Sequence, residues 1–237
     1  MRFREVCPQV FMASRGGVNM YVIAHSDGTV LIDAGLPGGA SALIAALARF
    51  PDLAGVVLTH GHYDHVGGAA VVARARGVPV WMHPDDAALL AEGRWRRAGR
   101  ASPTLHGPLL KRLVADRYPD EVPALADVLP AQKAIPLAGG IEVIHCPGHS
   151  AGQVALVWRE AGVVFAADVV MHILGLREPI LYEDRAEGLA SIRRLAEAAE
   201  GASLMVFGHG GPLRDPGPPI ARFARRLEGV SSHGRDV

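Results

Sequence analysis

The chain has 237 residues, of which 49% are hydrophobic and 20% are charged, with 24 basic residues against 24 acidic ones. This length and apolar content suffice for a sizeable core and exclude an intrinsically disordered composition. The balanced charge argues against the basic surface with which proteins bind nucleic acid or anionic membranes. We therefore expect a small molecule as the partner, with no nucleic acid and no membrane.

The early sequence and the two cysteines indicate the compartment. The first residues lack the apolar stretch of a signal peptide, and no run reaches the roughly 18 apolar residues that span a bilayer. Cys7 and Cys146 stand far apart in the chain, and two reduced thiols fit this spacing better than one disulfide. We expect a cytoplasmic protein.

Predicted strands and helices alternate along the first third of the chain. Residues 18–35 predict two strands joined by a turn at 26–28, and residues 40–50 predict a helix that ends before Pro51. The next predicted elements are a strand at 55–60, a helix at 68–77, a strand at 78–83 and a helix at 84–93.

Residues 94–133 interrupt this alternation. The segment is rich in Pro and Arg and contains one predicted helix near 109–117. We interpret it as an inserted lid or substrate loop over the surface. Its cations could pair with a carboxylate substrate or form an ordinary solvated surface: they are Arg94, Arg96, Arg97, Arg100, Lys111 and Arg112.

The remaining residues repeat the pattern of strands followed by helices. The predicted elements are strands at 141–149, 153–160 and 162–170, an amphipathic helix at 184–201, a strand at 203–208, a helix at 216–230 and a frayed tail at 231–237. Two such halves favour a single α/β domain over residues 1–237, in which two sheets pack together and helices flank both sides.

Potential metal ligands follow four of the predicted strands. They are His60, His62, Asp64 and His65 in THGHYDHVGG, and then His149, Asp168 and His209. A single histidine would be an ordinary hydrogen-bonded residue, but recurrence at four strand ends predicts that the side chains meet at one rim. Imidazoles and carboxylates suit zinc, and also iron or manganese. Seven ligands exceed one tetrahedral shell and fit two ions roughly 3.5–4 Å apart.

Five motifs in this chain resemble those of the metallo-β-lactamase superfamily. His60–His65 matches the HxHxDH signature, and CPGHSAGQ around His149 resembles the PGHTxG segment. AADVV and FGHGGPL resemble the later GD and GHG segments, and LIDAG matches an early aspartate motif. The motifs occur in the family's order over residues 29–213. Ala167 departs from the family, because many members have Gly before the aspartate.

The resemblance implies the family's αββα sandwich of two mixed β-sheets flanked by helices. It also implies two zinc ions. Their implied ligands are His60, His62 and His149 for one ion, and Asp64, His65 and His209 for the other, with Asp168 bridging. Asp33 would lie behind the ligands and orient the loop or a histidine by hydrogen bonding.

Such a site predicts hydrolysis by a metal-bridging hydroxide. Two zinc ions lower the pKa of a shared water toward roughly 7, and the hydroxide attacks a carbonyl carbon or a phosphorus. Asp64 and Asp168 are the predicted catalytic carboxylates. No nucleophile from the protein is required.

The substrate is the least determined part of the prediction. The first interpretation is a glyoxalase II-like hydrolase of a small thioester, ester or lactone. Against glutathione thioesters, residues 210–237 do not provide the helical domain that carries glutathione-binding cations in that family. An acyl-homoserine-lactone-type lactonase is the closest alternative, because residues 105–113 could line an acyl pocket. His172 and Tyr182 are candidates for the substrate pocket.

Other classes fit the sequence less well. A β-lactamase usually needs export, and a nuclease is disfavoured by the zero net charge. A persulfide dioxygenase would hold one iron with two histidines and an aspartate, whereas the complete second set of ligands favours two metals. A non-catalytic member should have lost ligands, and none is lost. The sequence neither predicts nor excludes a homodimer.

Overall fold

The computed structural model describes residues 1–50, 52–95, 99–103, 107–113, 125 and 128–233. Its strands are β1 (Arg4–Cys7), β2 (Val10–Arg15), β3 (Val18–His25), β4 (Gly28–Ile32), β5 (Leu53–Val57), β6 (Val80–Met82), β7 (Arg100–Ala101), β8 (Val128–Pro130), β9 (Ala134–Ile135), β10 (Ile141–His145), β11 (Val154–Trp158), β12 (Val163–Phe165), β13 (Met171–His172), β14 (Leu176–Arg177), β15 (Leu181–Tyr182), β16 (Leu204–Val206) and β17 (Leu213–Arg214). Its helices are α1 (Ala40–Leu47), α2 (Tyr63–Val66), α3 (Ala69–Arg76), α4 (Pro84–Ala91), α5 (Gly107–Leu113), α6 (Arg185–Ala198) and α7 (Gly217–His233).

Two mixed sheets contain most of the strands. The first has the order β1-β2-β3-β4-β5-β6-β8, and the second has the order β17-β16-β12-β11-β10-β9. Two short hairpin-like pairs, β13 with β14 and β7 with β15, lie outside these sheets.

The alternation of apolar residues along each strand separates three apolar layers. In β3, Val22 packs with α1, α3 and α4 on the outside, whereas its neighbour Ile23 faces the second sheet. In β11, Leu156 joins Ile23 between the sheets, whereas Val157 packs with α6 and α7. Because successive side chains of a strand point to opposite faces, both sheets are buried on both sides. The predicted α/β sandwich of two mixed sheets flanked by helices is therefore confirmed.

Strand direction brings several strand ends to one rim of the sandwich. In the first sheet, β4, β5, β6 and β8 are parallel. In the second sheet, β12 is parallel to β16, and β10 and β12 are both antiparallel to β11. The carboxyl ends of β10, β12 and β16 therefore lie at the same edge, as those of β4 and β5 do in the other sheet.

The structure differs from the sequence prediction mainly at the edges of the fold. The segment 94–133, predicted as an insertion, ends in β8, which pairs with β6 and so belongs to the first sheet. The helix predicted near 109–117 is observed as α5, and residues 114–117 lie outside the described residues. Helix α7 continues through His233, so the predicted tail at 231–237 begins helical, and residues 234–237 lie outside the described residues. Ile220, Phe223 and Leu227 of this helix pack with α6.

Within the described residues, no helix is both long enough and apolar enough to cross a bilayer. Cys7 and Cys146 are both free thiols.

The layer between the sheets should dominate the stability of the fold. Leu156 is fully buried there, so Leu156→Ala should lower the free energy of unfolding by about 2–5 kcal/mol, because it removes apolar contacts and leaves a cavity. Leu129→Ala is the matched control, since Leu129 is 44% exposed in β8, and should change it by less than about 1 kcal/mol. Urea unfolding of both variants checks the difference, and equal losses would contradict it.

Candidate metal centre

All seven of the predicted ligands lie at the rim where the strands end. The loop after β5 carries His60 and His62, and the single helical turn α2 then carries Asp64 and His65. His149 follows β10, Asp168 follows β12 and His209 follows β16.

The ligand atoms form two groups. One atom each from His60, His62 and His149 lie within 4.8 Å of one another, and the same holds for Asp64, His65 and His209. These are the two sets that the resemblance implied.

Asp168 lies between the two groups. Its Oδ2 is 3.6 Å from Nε2 of His149 and 3.2 Å from Nε2 of His209, and its Oδ1 is 3.7 Å from Nε2 of His65. One carboxylate thus faces histidines of both groups, which is the position of a bridging ligand. The clusters suggest a dinuclear metal site.

The unpaired polar atoms of the site fit bound cations. Within the described residues, Nε2 of His60, His65 and His149 and Oδ1 of Asp168 are buried and have no hydrogen-bond partner. Buried polar atoms without partners cost free energy, and metal ions at the centre would satisfy all four of these atoms. Imidazole nitrogen with carboxylate oxygen is also the donor set that zinc, iron and manganese accept.

The opposite ring nitrogens are held by the protein. Nδ1 of His149 is 2.9 Å from the carbonyl oxygen of Leu181, and Nδ1 of His209 is 2.8 Å from that of Gly17. A carbonyl oxygen can only accept, so each Nδ1 carries the proton. Nε2 of His149 is therefore left with its lone pair, as a metal ligand needs.

Asp33 holds two further ligands. It follows β4 with a left-handed backbone (φ +59°), and its side chain is buried. Its Oδ2 is 2.8 Å from Nδ1 of His65 and accepts from the hydroxyl of Thr59 at 2.9 Å. The oxygen of that hydroxyl is 3.0 Å from Nδ1 of His60. Asp33 thus orients one histidine directly and a second through Thr59.

Burial and neighbouring charges keep part of the site ready for a cation. Burial, together with His65, His62 and His149, holds the pKa of His60 well below its usual value. Burial likewise lowers the pKa of His149. Both rings are therefore neutral at pH 7, as metal ligands must be.

The second group is more strongly charged. Burial would raise the pKa of Asp168, but His209 and His65 hold it well below its usual range. Burial would lower the pKa of His65 and of His209, but nearby carboxylates, Asp33 for the first and Asp168 for the second, raise them to about 9 and about 10. A metal ion in this group must therefore displace protons from two imidazoles.

Asp86, a further buried carboxylate that was not predicted from the sequence, joins two ligand loops. Asp86 accepts from the backbone N–H of Gly61 and of Gly152, each at 2.8 Å, and from the hydroxyl of Ser150 at 2.6 Å. Gly61 lies between His60 and His62, and Ser150 directly follows His149. Asp86 therefore fixes the spacing of the first ligand group.

The loop that carries His209 is fastened to β3. The side-chain amide of Asn19 donates to the carbonyl oxygens of Phe207 and Gly210, at 3.0 and 2.8 Å, and the Tyr21 hydroxyl donates to that of Phe207 at 2.6 Å. A polar residue at the second position of the apolar strand VNMYVIAH was the one available signal. Its partners could not be read from the sequence.

Two small residues border Asp168: Ala167 precedes it in the sequence, and Gly208 lies against its side chain. A Cβ on Gly208 would overlap Oδ1 of Asp168 and approach the His65 ring. Ala167 has a left-handed backbone (φ +49°), which explains why Gly suits this position. Alanine can adopt that conformation at a small energetic cost.

A cleft of ≈ 1160 Å³ opens onto the centre, and its wall includes His62, Asp64, His149, Asp168 and His209. Trp95 lines it too and meets the His62 ring edge-on, with centroids 5.4 Å apart.

The predicted pocket residues His172 and Tyr182 have other contacts. The structure places neither in the wall that the described residues form, although their neighbours Met171 and Leu181 line it. Nδ1 of His172 lies 2.8 Å from the Gly211 carbonyl oxygen, and Tyr182 donates to Glu178 at 3.2 Å.

The described cations of the 94–133 segment do not line the cleft. Arg94, Arg100, Lys111 and Arg112 are absent from the wall that the described residues form. Arg96 and Arg97 lie outside the described residues.

Asp86 should control metal affinity although it touches no metal. In Asp86→Asn the amide NH₂ cannot accept the hydrogen bonds made by one carboxylate oxygen, so the loops of His60 and His149 should shift. We expect zinc affinity to fall about 10- to 100-fold, measured by titration against a chromogenic chelator. Glu92→Gln is the control, because the Glu92 side chain is 62% exposed at the end of the same helix. It should leave zinc affinity within about twofold, and an equal fall in both variants would contradict the role of Asp86.

Comparison with known proteins gives relatives at modest identity. The chain is 28% identical over 150 residues to "Probable metallo-hydrolase YflN" of Bacillus subtilis, a match that covers 61% of this chain and 56% of that protein. It is 27% identical over 177 residues to the hydroxyacylglutathione hydrolase GloC of Haemophilus influenzae, covering 73% and 77% of the two chains.

Solved structures share the architecture. The di-iron-bound form of TTHA1623 superposes with a TM-score of 0.62 at 26% identity, covering 87% of this chain and 96% of that one. The sequence profile of the Metallo-beta-lactamase superfamily matches residues 13–212, which span the whole centre from Asp33 to His209. The chain belongs to the metallo-β-lactamase superfamily.

Proposed function

We propose that this protein is a dinuclear metal-dependent hydrolase of an ester, thioester or lactone. The observation that carries the proposal is the pair of ligand groups that share Asp168 and open into one cleft. Its relatives support the reaction class, because YflN is named "Probable metallo-hydrolase" and GloC "Hydroxyacylglutathione hydrolase".

Two bound metal ions would supply a hydroxide nucleophile at neutral pH and polarise the carbonyl oxygen of the substrate. Zinc is the metal we propose, and the di-iron form of a related structure keeps iron as the alternative. His60, His62 and His149 would hold one ion, and Asp64, His65 and His209 the other.

The carboxylates of the centre have the position and charge for this reaction. Asp168 is kept ionised by its histidine neighbours, so it can hold both ions without first losing a proton. Asp64 lies in the cleft wall, and its Oδ2 is 3.4 Å from Nε2 of His209. Asp64 can therefore orient the attacking group by accepting a hydrogen bond on the substrate side.

The chain offers no obvious nucleophile of its own at this place. Among the described residues that line the cleft there is no Ser, Thr, Cys or Lys. The Ser150 hydroxyl donates to Asp86 at 2.6 Å, and burial raises the pKa of the Cys146 thiol to about 12. Water activation by metal ions is thus the route that these residues support.

Metal content tests the proposal most directly. The purified protein should hold about two equivalents of metal, and chelation should abolish turnover of a thioester, ester or lactone, which zinc, iron or manganese restores. Elemental analysis and a substrate screen that includes β-lactams and phosphodiesters measure this. A single iron with oxygen uptake on a persulfide would replace the hydrolase with a dioxygenase.

Replacement of the bridging carboxylate tests the role of Asp168. Asp168→Ala should lower kcat by at least about 100-fold, since it removes a carboxylate that faces histidines of both groups, while the circular dichroism spectrum stays native. Asp27→Ala is the control, because Asp27 lies exposed in the β3–β4 turn, and should retain full turnover. Full turnover in Asp168→Ala would refute the bridging role.

A further inference from the structure

The cleft extends well beyond the metal ligands. One side is the pair β13–β14 and the segment after it, and the other side is one face of helix α7. Its volume of ≈ 1160 Å³ exceeds the range of about 300–1,000 Å³ that is usual for small-molecule pockets. A short acyl group alone would leave most of this space filled with water.

Much of the described wall of the cleft is apolar. The apolar side chains that line it are Trp95, Met171, Leu176, Ile180, Leu181 and Phe223. The turn between β13 and β14 adds Ile173 and Leu174, which are 42% and 94% exposed. The free energy falls when an apolar ligand covers apolar side chains at the mouth of a cleft, because their surface is removed from water.

Three arginines add positive charge to the same cleft: Arg177, Arg222 and Arg226. Within the part of the chain that the structure describes, no carboxylate forms an ion pair with any of them. The guanidinium group of Arg226 stacks on Phe223, 5.1 Å from the ring centroid.

Glu178, the acidic residue of the described cleft wall away from the metal ligands, does not neutralise these arginines. Glu178 is bonded to Arg185 at 3.0 Å and accepts from the Tyr182 hydroxyl at 3.2 Å. Away from the metal ligands, the cleft therefore has an excess of cations.

The helical spacing aims two of the arginines at the cleft. Arg222 and Arg226 are four residues apart and lie on the same face of α7 as Phe223 and Leu227, which line the cleft as well. Arg225 is exposed on the same helix and does not line the cleft. Residues four apart on a helix are neighbours, so two guanidinium groups can pair with one anionic group.

We propose that the substrate is an amphiphilic anion: an ester or thioester that has an apolar chain and, away from the scissile carbonyl, a carboxylate or phosphate group. The apolar chain lies against the Trp95 and Met171 side of the cleft, and Arg222 and Arg226 bind the anionic group. This inference rests on the proposed hydrolase function, since the scissile carbonyl is assigned to the metal end. It replaces the small substrate expected from the sequence with a longer, negatively charged one.

Equilibrium binding tests the proposal without turnover. Calorimetry on the zinc-loaded protein uses decanoate and decyl phosphate as anionic probes, decanol as the neutral probe and butanoate as the short probe. Decanoate should bind at least about tenfold more tightly than butanoate, because each buried methylene contributes about 0.8 kcal/mol. The tighter of the two anionic probes identifies the anionic group.

The variants separate pairing by arginine from binding at the metals. In the double variant Arg222→Gln/Arg226→Gln, both anionic probes should bind at least about tenfold more weakly, while decanol changes less than about twofold. Arg225→Gln, the matched control, should change every probe by less than about twofold. Circular dichroism and thermal unfolding check that each variant folds as the parent does.

Three results would overturn the proposal. The first is unchanged affinity of both anionic probes in the double variant, which would show that their anionic group binds the metals or stays in solvent. The second is an equal loss in Arg225→Gln, which would indicate a general field of the helix. The third is equal affinity for butanoate and decanoate, which would show that the cleft does not bind an apolar chain.

Failure of the underlying function would look different. If the protein is not a hydrolase, no ester, thioester or lactone is turned over, yet the binding pattern of the probes persists. If only the substrate class is wrong, turnover of some other ester or lactone persists and the dependence on Arg222 and Arg226 is lost.

Discussion

The buried carboxylate of Asp33 connects the fold to the metal centre. It lies at the carboxyl end of β4 and accepts from the backbone N–H of Thr59 at 2.9 Å, where the chain leaves the neighbouring parallel strand β5. The same group holds His65 directly and His60 through the Thr59 hydroxyl. Because it is buried, its three hydrogen bonds act in a low-dielectric setting and are strong. The ligand loop can have only the conformation that satisfies them.

The centre is electrostatically unfavourable for a protein without bound cations. The rings of His60 and His65 are 4.2 Å apart, and those of His62 and His149 are 4.3 Å apart. Within the described residues, Nε2 of His60, His65 and His149 is buried there without a hydrogen-bond partner from the protein. Such an arrangement lowers stability unless a ligand that binds the folded state compensates for it. Metal binding and folding stability should therefore be coupled in this protein.

The sequence predicted the parts of the centre that depend on local patterns. Apolar strands that end in Gly, His or Asp can be read one at a time, and the rim follows from strand direction. Asp86 could not be predicted, because it stands beside Asp85 in an ordinary first helical turn and only its distant partners, such as Gly152, 66 residues away, distinguish it. Asn19 was missed for the same reason, since its partner Phe207 is 188 residues away. The cations of helix α7 that line the cleft, Arg222 and Arg226, were missed because the contacts of this helix depend on tertiary packing.

The segment after Asp168 links the chemistry to the choice of substrate. His172 lies in β13, and its backbone N–H donates to the carbonyl oxygen of His209 at 3.2 Å, while its Nδ1 is 2.8 Å from that of Gly211. The base of the pair is thus fastened to the loop that carries a predicted ligand. Its turn at Ile173 and Leu174 projects past these bonds into the cleft mouth. Changes at the turn can therefore alter which substrate fits while the base stays fastened to the loop of His209, which is how one centre can serve several substrates.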